Sequence, residues 1–323
     1  MRSPAMPTVA EQAVPTQAPA DVISIDRRLR DRATARDWVR LARPQQWVKN
    51  AFALAPLLFS GRAFQLEAQL AALGAFATFC LLASAIYLGN DIVDAAADRA
   101  HPVKRHRPIA AGRIPASAAA WVAGGLLAAA FALAWRVGPG LAAVAVSYVL
   151  LNVLYSLRLK RVVILDVFVV ASFFILRLLA GATAIGVTPS VWLLLCGGLL
   201  ALYLGFTKRR HELTLLGDDG ASHRAVLSHY SAELLDQIAV VLLSTTLISY
   251  VMYTRESATA LAAGSDALSY STVFVVYGVF RYLYLVHQKA GGSPTETLLT
   301  DRSLLVDVAA WLLYCGWVVY RPH

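Results

Sequence analysis

The chain has 323 residues, a formal net charge of +9 and 58% hydrophobic residues, well above the roughly 45 to 50% apolar usage of soluble domains. Its mean hydropathy is +0.58 and its pI about 9.6, values that exclude a soluble enzyme and point to a polytopic membrane protein. The bases lie in short clusters between apolar runs, so the expected partners are the lipid bilayer and phosphorylated substrates, not nucleic acid.

Residues 1–25 are rich in Pro, Ala, Thr and Gln and lack the apolar core of a signal peptide, which predicts a disordered tail. Residues 26–44 contain DRRLRDRATARDWVRLAR, seven arginines with Leu29, Trp38, Val39 and Leu41 interspersed. This composition predicts a basic amphipathic helix on an anionic membrane surface. Residues 45–323 form one all-α transmembrane domain. Windows of about 20 apolar residues predict a nine-helix bundle with spans at 46–62, 66–89, 116–135, 139–157, 162–186, 189–207, 232–254, 270–288 and 304–320. Lys49, Asn50 and Pro56 interrupt the first. Cys80, Cys196 and Cys315 fall inside apolar runs without CxxC or metal-ligand spacing, so they are expected to be packing residues.

With this topology, 23 of the 29 Lys and Arg residues fall on one side. Arg62, Arg136, Arg255 and Arg321 fall on the other, and Arg177 and Arg281 lie within spans. The positive-inside rule then makes the N-terminal side cytoplasmic.

The second span ends in Asn90-Asp91-Ile-Val-Asp94-Ala-Ala-Ala-Asp98, followed by Lys104, Arg105 and Arg107. Spacings of three and four align Asp91, Asp94 and Asp98 on one helical face, with Asn90 one turn from Asp94. Stacked carboxylates repel unless a cation bridges them, and hard oxygen ligands suit Mg²⁺ shared with substrate phosphates. Asn90, Asp91, Asp94 and Asp98 are therefore the candidate metal ligands. Two further cytoplasmic segments add phosphate-binding groups. One is Tyr155-Ser-Leu-Arg-Leu-Lys160-Arg161, with Asp166 and Arg177 in the next span; the other is Lys208-Arg209-Arg210-His-Glu212. Asp166 and Arg177 are three turns apart and are candidates to share a face. Such a cation cluster beside Mg²⁺ fits a diphosphate leaving group, whose growing charge it neutralises. His101, His106 and His211 fit loop solvation or phosphate contact better than proton transfer, because a phosphate nucleophile is already ionised near neutral pH. No G-x-x-x-x-G-K-[ST] loop is present, which argues against a P-loop nucleotidase.

NDIVDAAADRAHPVKRHRPIAAG resembles the first aspartate-rich motif of the UbiA superfamily of intramembrane prenyltransferases, nine-helix bundles, and the resemblance extends over most of the chain after residue 40. RPQQWVKN (43–50), YSLRLKR, LDVFVVASFFILRLLAGA (165–182) and GFTKRRHEL look most like the superfamily's polyprenyl-phosphate phosphoribosyltransferase branch, typified by decaprenyl phosphate as acceptor. Superfamily members typically carry a second aspartate-rich motif between the sixth and seventh helices. Here that position reads KRRHEL, with only Glu212 acidic, which suits a different phosphorylated substrate.

The resemblance implies 5-phosphoribosyl 1-diphosphate as donor, a polyprenyl (decaprenyl) phosphate as acceptor and Mg²⁺ as cofactor. The product would be a lipid-linked pentose for cell-wall arabinan, made in the bacterial inner membrane with the site facing the cytoplasm. Asp91, Asp94 and Asp98 would be the catalytic acids. Lys104, Arg105, Arg107, Lys208, Arg209 and Arg210 would steady the phosphates, with Gln45, Lys49, Asn50, Tyr155 and Lys160 orienting ribose or phosphate. A homo-oligomer is compatible with this reading. Two competing readings are a prenyl diphosphate:aromatic prenyltransferase, which predicts two acid clusters, and a transporter of phosphorylated metabolites, which predicts polar groups at the membrane midplane.

Overall fold

The computed structural model describes residues 33–216, 225–262, 266–288 and 300–321, and every regular element among them is helical. In chain order these are α1 (Ala35–Ala42), a 3-10 helix (Pro44–Leu54) continuing into α2 (Ala55–Phe59), α3 (Leu66–Val93), α4 (Ala95–Ala100), α5 (Ala116–Val137) and α6 (Pro139–Leu157). They are followed by α7 (Leu165–Ala184), α8 (Val191–Leu216), α9 (Ala232–Glu256), α10 (Ala258–Ala262), α11 (Thr272–Gln288) and α12 (Arg302–Tyr320). The tail at 1–25, and the basic segment as far as residue 32, lie outside the described residues.

Among the described residues, eight helical stretches are long and apolar enough to cross a membrane. The remaining expected span, the first, takes another form. It is 11 residues of 3-10 helix followed by 5 of α-helix, which at about 2.0 and 1.5 Å per residue cover about 30 Å, the thickness of a hydrocarbon core. A tighter helix thus spans with fewer residues. Gly181 of α7 makes room for it, because a Cβ there would stand 1.9 Å from the Ala53 carbonyl oxygen.

Small residues set the packing elsewhere too. The buried positions of α5 are Ala119, Ala123, Ala130 and Ala134, while Trp121 and Trp135 near its two ends are exposed. The alanine face lets helices approach closely; the tryptophans stand where membrane interfaces favour them. One core joins α3, α5, α6 and α7 through Phe79, Leu82, Leu141, Tyr148 and Phe173. A second, around Val167, Phe206, Tyr230 and Leu235, binds α7 to α8 and α9.

The apolar residues of α1 divide, Leu41 and Trp38 packing on protein while Val39 is exposed. Leu41 is fully buried in a cluster with Leu88, Ile109 and Ile114, against which Trp38 packs. Thr34 and Asp37 form a reciprocal capping box, and Arg113 donates to Asp37 at 3.1 Å. The Thr34 amide, its hydroxyl and the Arg113 guanidinium together hold the Asp37 carboxyl below its ordinary range.

Candidate active site

The acid motif begins inside the last turn of α3. Asp94 stands between α3 and α4 with right-handed helical backbone, its amide bonded to the Asn90 carbonyl at 2.8 Å and its carbonyl to the Asp98 amide at 2.8 Å. Asp91 and Asp98 are each 3% exposed, whereas Asp94 lies in solvent and forms no ion pair among the described residues. Repulsion between the buried carboxylates is relieved by arginine. Arg107 Nη1 donates to Asp91 Oδ1 at 3.1 Å and to Asp98 Oδ2 at 2.7 Å, and Arg43 Nη2 donates to Asp91 Oδ1 at 2.6 Å.

Two buried carboxylate oxygens thus converge on one cationic nitrogen. Hard anionic oxygens gathered around a single positive centre are the donor chemistry that Mg²⁺ takes, and Asp94 and the half-buried Asn90 add further oxygens nearby. The residues therefore fit the ion. No group of three or more His, Cys, Asp or Glu is preassembled as a metal cluster among the described residues, because guanidinium groups hold the acids.

Arg43 opens the motif RPQQWVKN, and its role as a counter-ion to Asp91 emerges only from the fold. Its backbone is left-handed, with φ at 50°, which turns the chain from α1 into the 3-10 helix. Its guanidinium lies over the Tyr87 ring, 4.7 Å from the centroid. Tyr87 is within electrostatic reach of both Arg43 and Arg177, linking the acid cluster to a second charged group deeper in the bundle.

That group centres on Arg177, which is 6% exposed within α7. It donates to Asn50 Oδ1 at 2.7 Å, to the Phe173 carbonyl at 2.7 Å and to the Tyr148 hydroxyl at 3.1 Å, and the rings of Phe79, Tyr148 and Phe174 surround its guanidinium. Every one of these partners is neutral. Asn50 is itself fully buried, and its amide reaches Cys80 Sγ at 3.3 Å. Lys49, half-buried on the same 3-10 helix, lies within electrostatic reach of Arg177 and Lys208. Lys49 thus stands near two other cations, an arrangement in which a bound anion would relieve repulsion.

Asp166 and Arg177 are both buried but belong to separate networks. Asp166 accepts from Arg209 Nε at 3.0 Å, and Arg209 Nη1 donates to Glu212 at 2.8 Å. The Asp166–Arg209 pair ties α7 to α8. Arg210 makes a two-point ion pair with Asp236 of α9. Of the three consecutive bases, therefore, Arg209 and Arg210 serve as ties, while Lys208 is 55% exposed and 3.8 Å from Glu212. Before α7, Ile164 carries a positive φ of 68° and its amide donates to the Tyr230 hydroxyl at 2.6 Å. Burial pushes that phenol up.

Lys104 and Arg105 are exposed on a short 3-10 turn. Tyr155 and Lys160 are half-buried where α6 ends, and Gln45 is exposed. His101 Nδ1 accepts from the amides of Val103 and Lys104 at 3.1 and 3.3 Å, which closes the loop after α4. The connection beyond Leu216 lies outside the described residues. It carries Asp218 and Asp219, so the description of that connection as poor in acids holds only for the KRRHEL stretch.

An all-helical membrane bundle with an acid motif closing one long helix and buried cations facing it defines an intramembrane transferase scaffold, and residues 51–305 match the UbiA prenyltransferase family. The chain belongs to that family. It is 34% identical over 292 residues to the decaprenyl-phosphate phosphoribosyltransferase of Mycolicibacterium smegmatis, covering 87% of this chain and 92% of the relative. It is likewise 34% identical to the enzyme of that name from Corynebacterium glutamicum, covering 87% and 86%. The nodulation protein NoeC of Azorhizobium caulinodans is 33% identical, covering 84% and 92%. Among solved structures, a UbiA homolog from Archaeoglobus fulgidus bound to GPP and Mg²⁺ superposes with a TM-score of 0.65 at 17% identity, covering 88% of this chain and 99% of the other.

Proposed function

We propose that this protein transfers 5-phosphoribose from 5-phosphoribosyl 1-diphosphate to a polyprenyl phosphate of the decaprenyl type and releases diphosphate, at the cytoplasmic face of a bacterial inner membrane. The observation that carries this reading is the pairing of an acid cluster, Asp91 and Asp98, with separate cations, Arg177 and Lys208, both near Lys49. A donor with a diphosphate and a 5-phosphate, meeting an acceptor that is itself a phosphate, needs more positive charge than a prenyl diphosphate alone. The identity to phosphoribosyltransferases over most of the chain supports the same choice.

Asp91, Asp94, Asp98 and Asn90 are the residues that would hold Mg²⁺. The bound ion would supply Lewis-acid neutralisation of charge on the departing diphosphate. Arg43 and Arg107, which pair with these acids, are the guanidinium groups that would turn to diphosphate oxygens there. Lys49, Arg177 and Lys208 orient phosphate groups, while Asn50 and Tyr148 fix the Arg177 guanidinium by hydrogen bonds. The acceptor phosphate is already ionised and attacks the anomeric carbon, so no general base is required. In-line displacement inverts that carbon and gives a β-linked product.

Incubation of the purified protein with ribose-labelled donor, polyprenyl phosphate and Mg²⁺ tests the proposal. Label is expected in the lipid phase together with free diphosphate, and chelation is expected to stop it. Transfer of a prenyl group from prenyl diphosphate to an aromatic acceptor, without phosphoribosyl transfer, would refute it.

A further inference from the structure

A second cavity, of about 590 Å³, lies at the opposite end of the bundle from the acid cluster. It is framed by the turn after α2, the connection from α7 to α8 and the end of α9. α3 begins beside it and carries Asp91 in its last turn; its 28 residues rise about 40 Å at 1.5 Å each, so the two sites lie on opposite membrane faces. The lining includes one cation and one acid, Arg62 and Glu256, both exposed, with the hydroxyls of Ser60, Thr188 and Ser190. Arg62 uses one guanidinium nitrogen on the Ile185 carbonyl at 3.0 Å, which leaves the rest of its five-donor fork. Tyr253, 2% exposed, also lines the cavity, its hydroxyl beside those of Ser257 and Thr259.

The cavity does not end at these polar groups. Phe59, Leu193 and Tyr253 line both it and a largely apolar groove of about 280 Å³ between α8, α9, α11 and α12, walled by side chains such as Leu243, Val279 and Leu304, with Asp307 the one acid on its lining. A polar chamber at the membrane surface opening into an apolar channel has the shape of an amphiphile, headgroup outside and chain within. The charges select the headgroup. One base and one acid suit a zwitterion carrying a phosphate and an ammonium, whereas a purely anionic headgroup would place its charge beside Glu256.

We infer that this cavity and groove bind one zwitterionic phospholipid of the leaflet opposite the active site, with Arg62 on its phosphate, Glu256 on its ammonium, the Tyr253 hydroxyl on an ester oxygen and an acyl chain in the groove. A lipid seated there fills space between α2, α9 and α12 and so stabilises the closed bundle. Nothing in this inference depends on which reaction the opposite face performs.

The test is lipid retention by native mass spectrometry after purification, combined with reconstitution in nanodiscs of phosphatidylethanolamine or phosphatidylglycerol. The wild-type protein is expected to retain phosphatidylethanolamine at least about tenfold over phosphatidylglycerol, equivalent to about 1.4 kcal/mol. Arg62→Gln should lose retention of both lipids, and Glu256→Gln should abolish the preference. Tyr253→Phe, which keeps the ring packing, should weaken retention without lowering the yield of folded protein. Equal retention of the two lipids by the wild type, or undiminished retention by Arg62→Gln, would overturn the inference. So would displacement of phosphatidylethanolamine by equimolar polyprenyl phosphate, which would make the acceptor lipid the occupant.

Discussion

At the level of single residues, Asp91 and Asp94 have the same side chain and different surroundings, and they will not respond alike to mutation. Asp91 is buried between two arginines, so Asp91→Asn strands their charge as well as removing an oxygen ligand. Loss of one partner from a buried pair costs about 3–5 kcal/mol, and this variant is expected to show a large drop in thermal stability. Asp94 is exposed and forms no ion pair, so Asp94→Asn should leave the melting temperature within experimental scatter and reduce turnover by two or more orders of magnitude. Measuring melting and Mg²⁺-dependent turnover on both variants separates structure from chemistry. Full activity in Asp94→Asn would remove that residue from the metal set.

Asp37 gives a pH expectation of defined sign. Its folded pKa lies below the ordinary 3.8, so the stability it contributes is fully present above that value and is lost as the pH falls through the lower folded value. The docking of α1 should therefore loosen only below about pH 4, as followed by fluorescence of Trp38 against a Trp38→Phe control. Thr34→Ala, which breaks the same cap, should cost about 1 kcal/mol at neutral pH.

Among the elements, the 3-10 helix Pro44–Leu54 and α7 depend on each other. Ala53 sits on Gly181, and the same register delivers Asn50 to Arg177. Gly181→Ala puts a methyl group against a backbone carbonyl, which cannot rotate away. The cost is expected at or above the upper end of the usual 1–3 kcal/mol for overpacking, with loss of donor affinity as Asn50 is displaced. Gly124→Ala in α5, where an added Cβ meets nothing within 4 Å, is the matched control and should be neutral or slightly stabilising. Comparable melting temperatures for the two variants would show that the first span is not held by this contact. The basic run at the end of α8 divides in the same way between roles. Arg209 and Arg210 fasten α8 to α7 and α9, which leaves Lys208 as the base in that run best placed to meet substrate.

For the whole molecule, the bundle is a two-faced object, with the acid and cation clusters at one end and the lipid-shaped cavity at the other. Cysteine introduced at Lys104, in a background where Cys80, Cys196 and Cys315 are replaced by alanine or serine, should react with a membrane-impermeant maleimide only in inverted vesicles. Cysteine at Ser60 should react only in right-side-out vesicles. The reverse pattern would place the active site outside the cytoplasm.

Apolar run length, basic-residue asymmetry and the Asp-rich motif were legible without coordinates, because membrane thickness, charge translocation and acid repulsion act on local sequence. They determined an all-helical bundle and the place of most of its spans. Which groups meet could not be read that way. The use of Arg43 and Arg107 as counter-ions and the meeting of Arg177 with Asn50 join residues from 9 to 127 apart in the chain. Such pairings are decided by how helices pack, and no local pattern encodes them. The tertiary structure alone assigned each charge its partner.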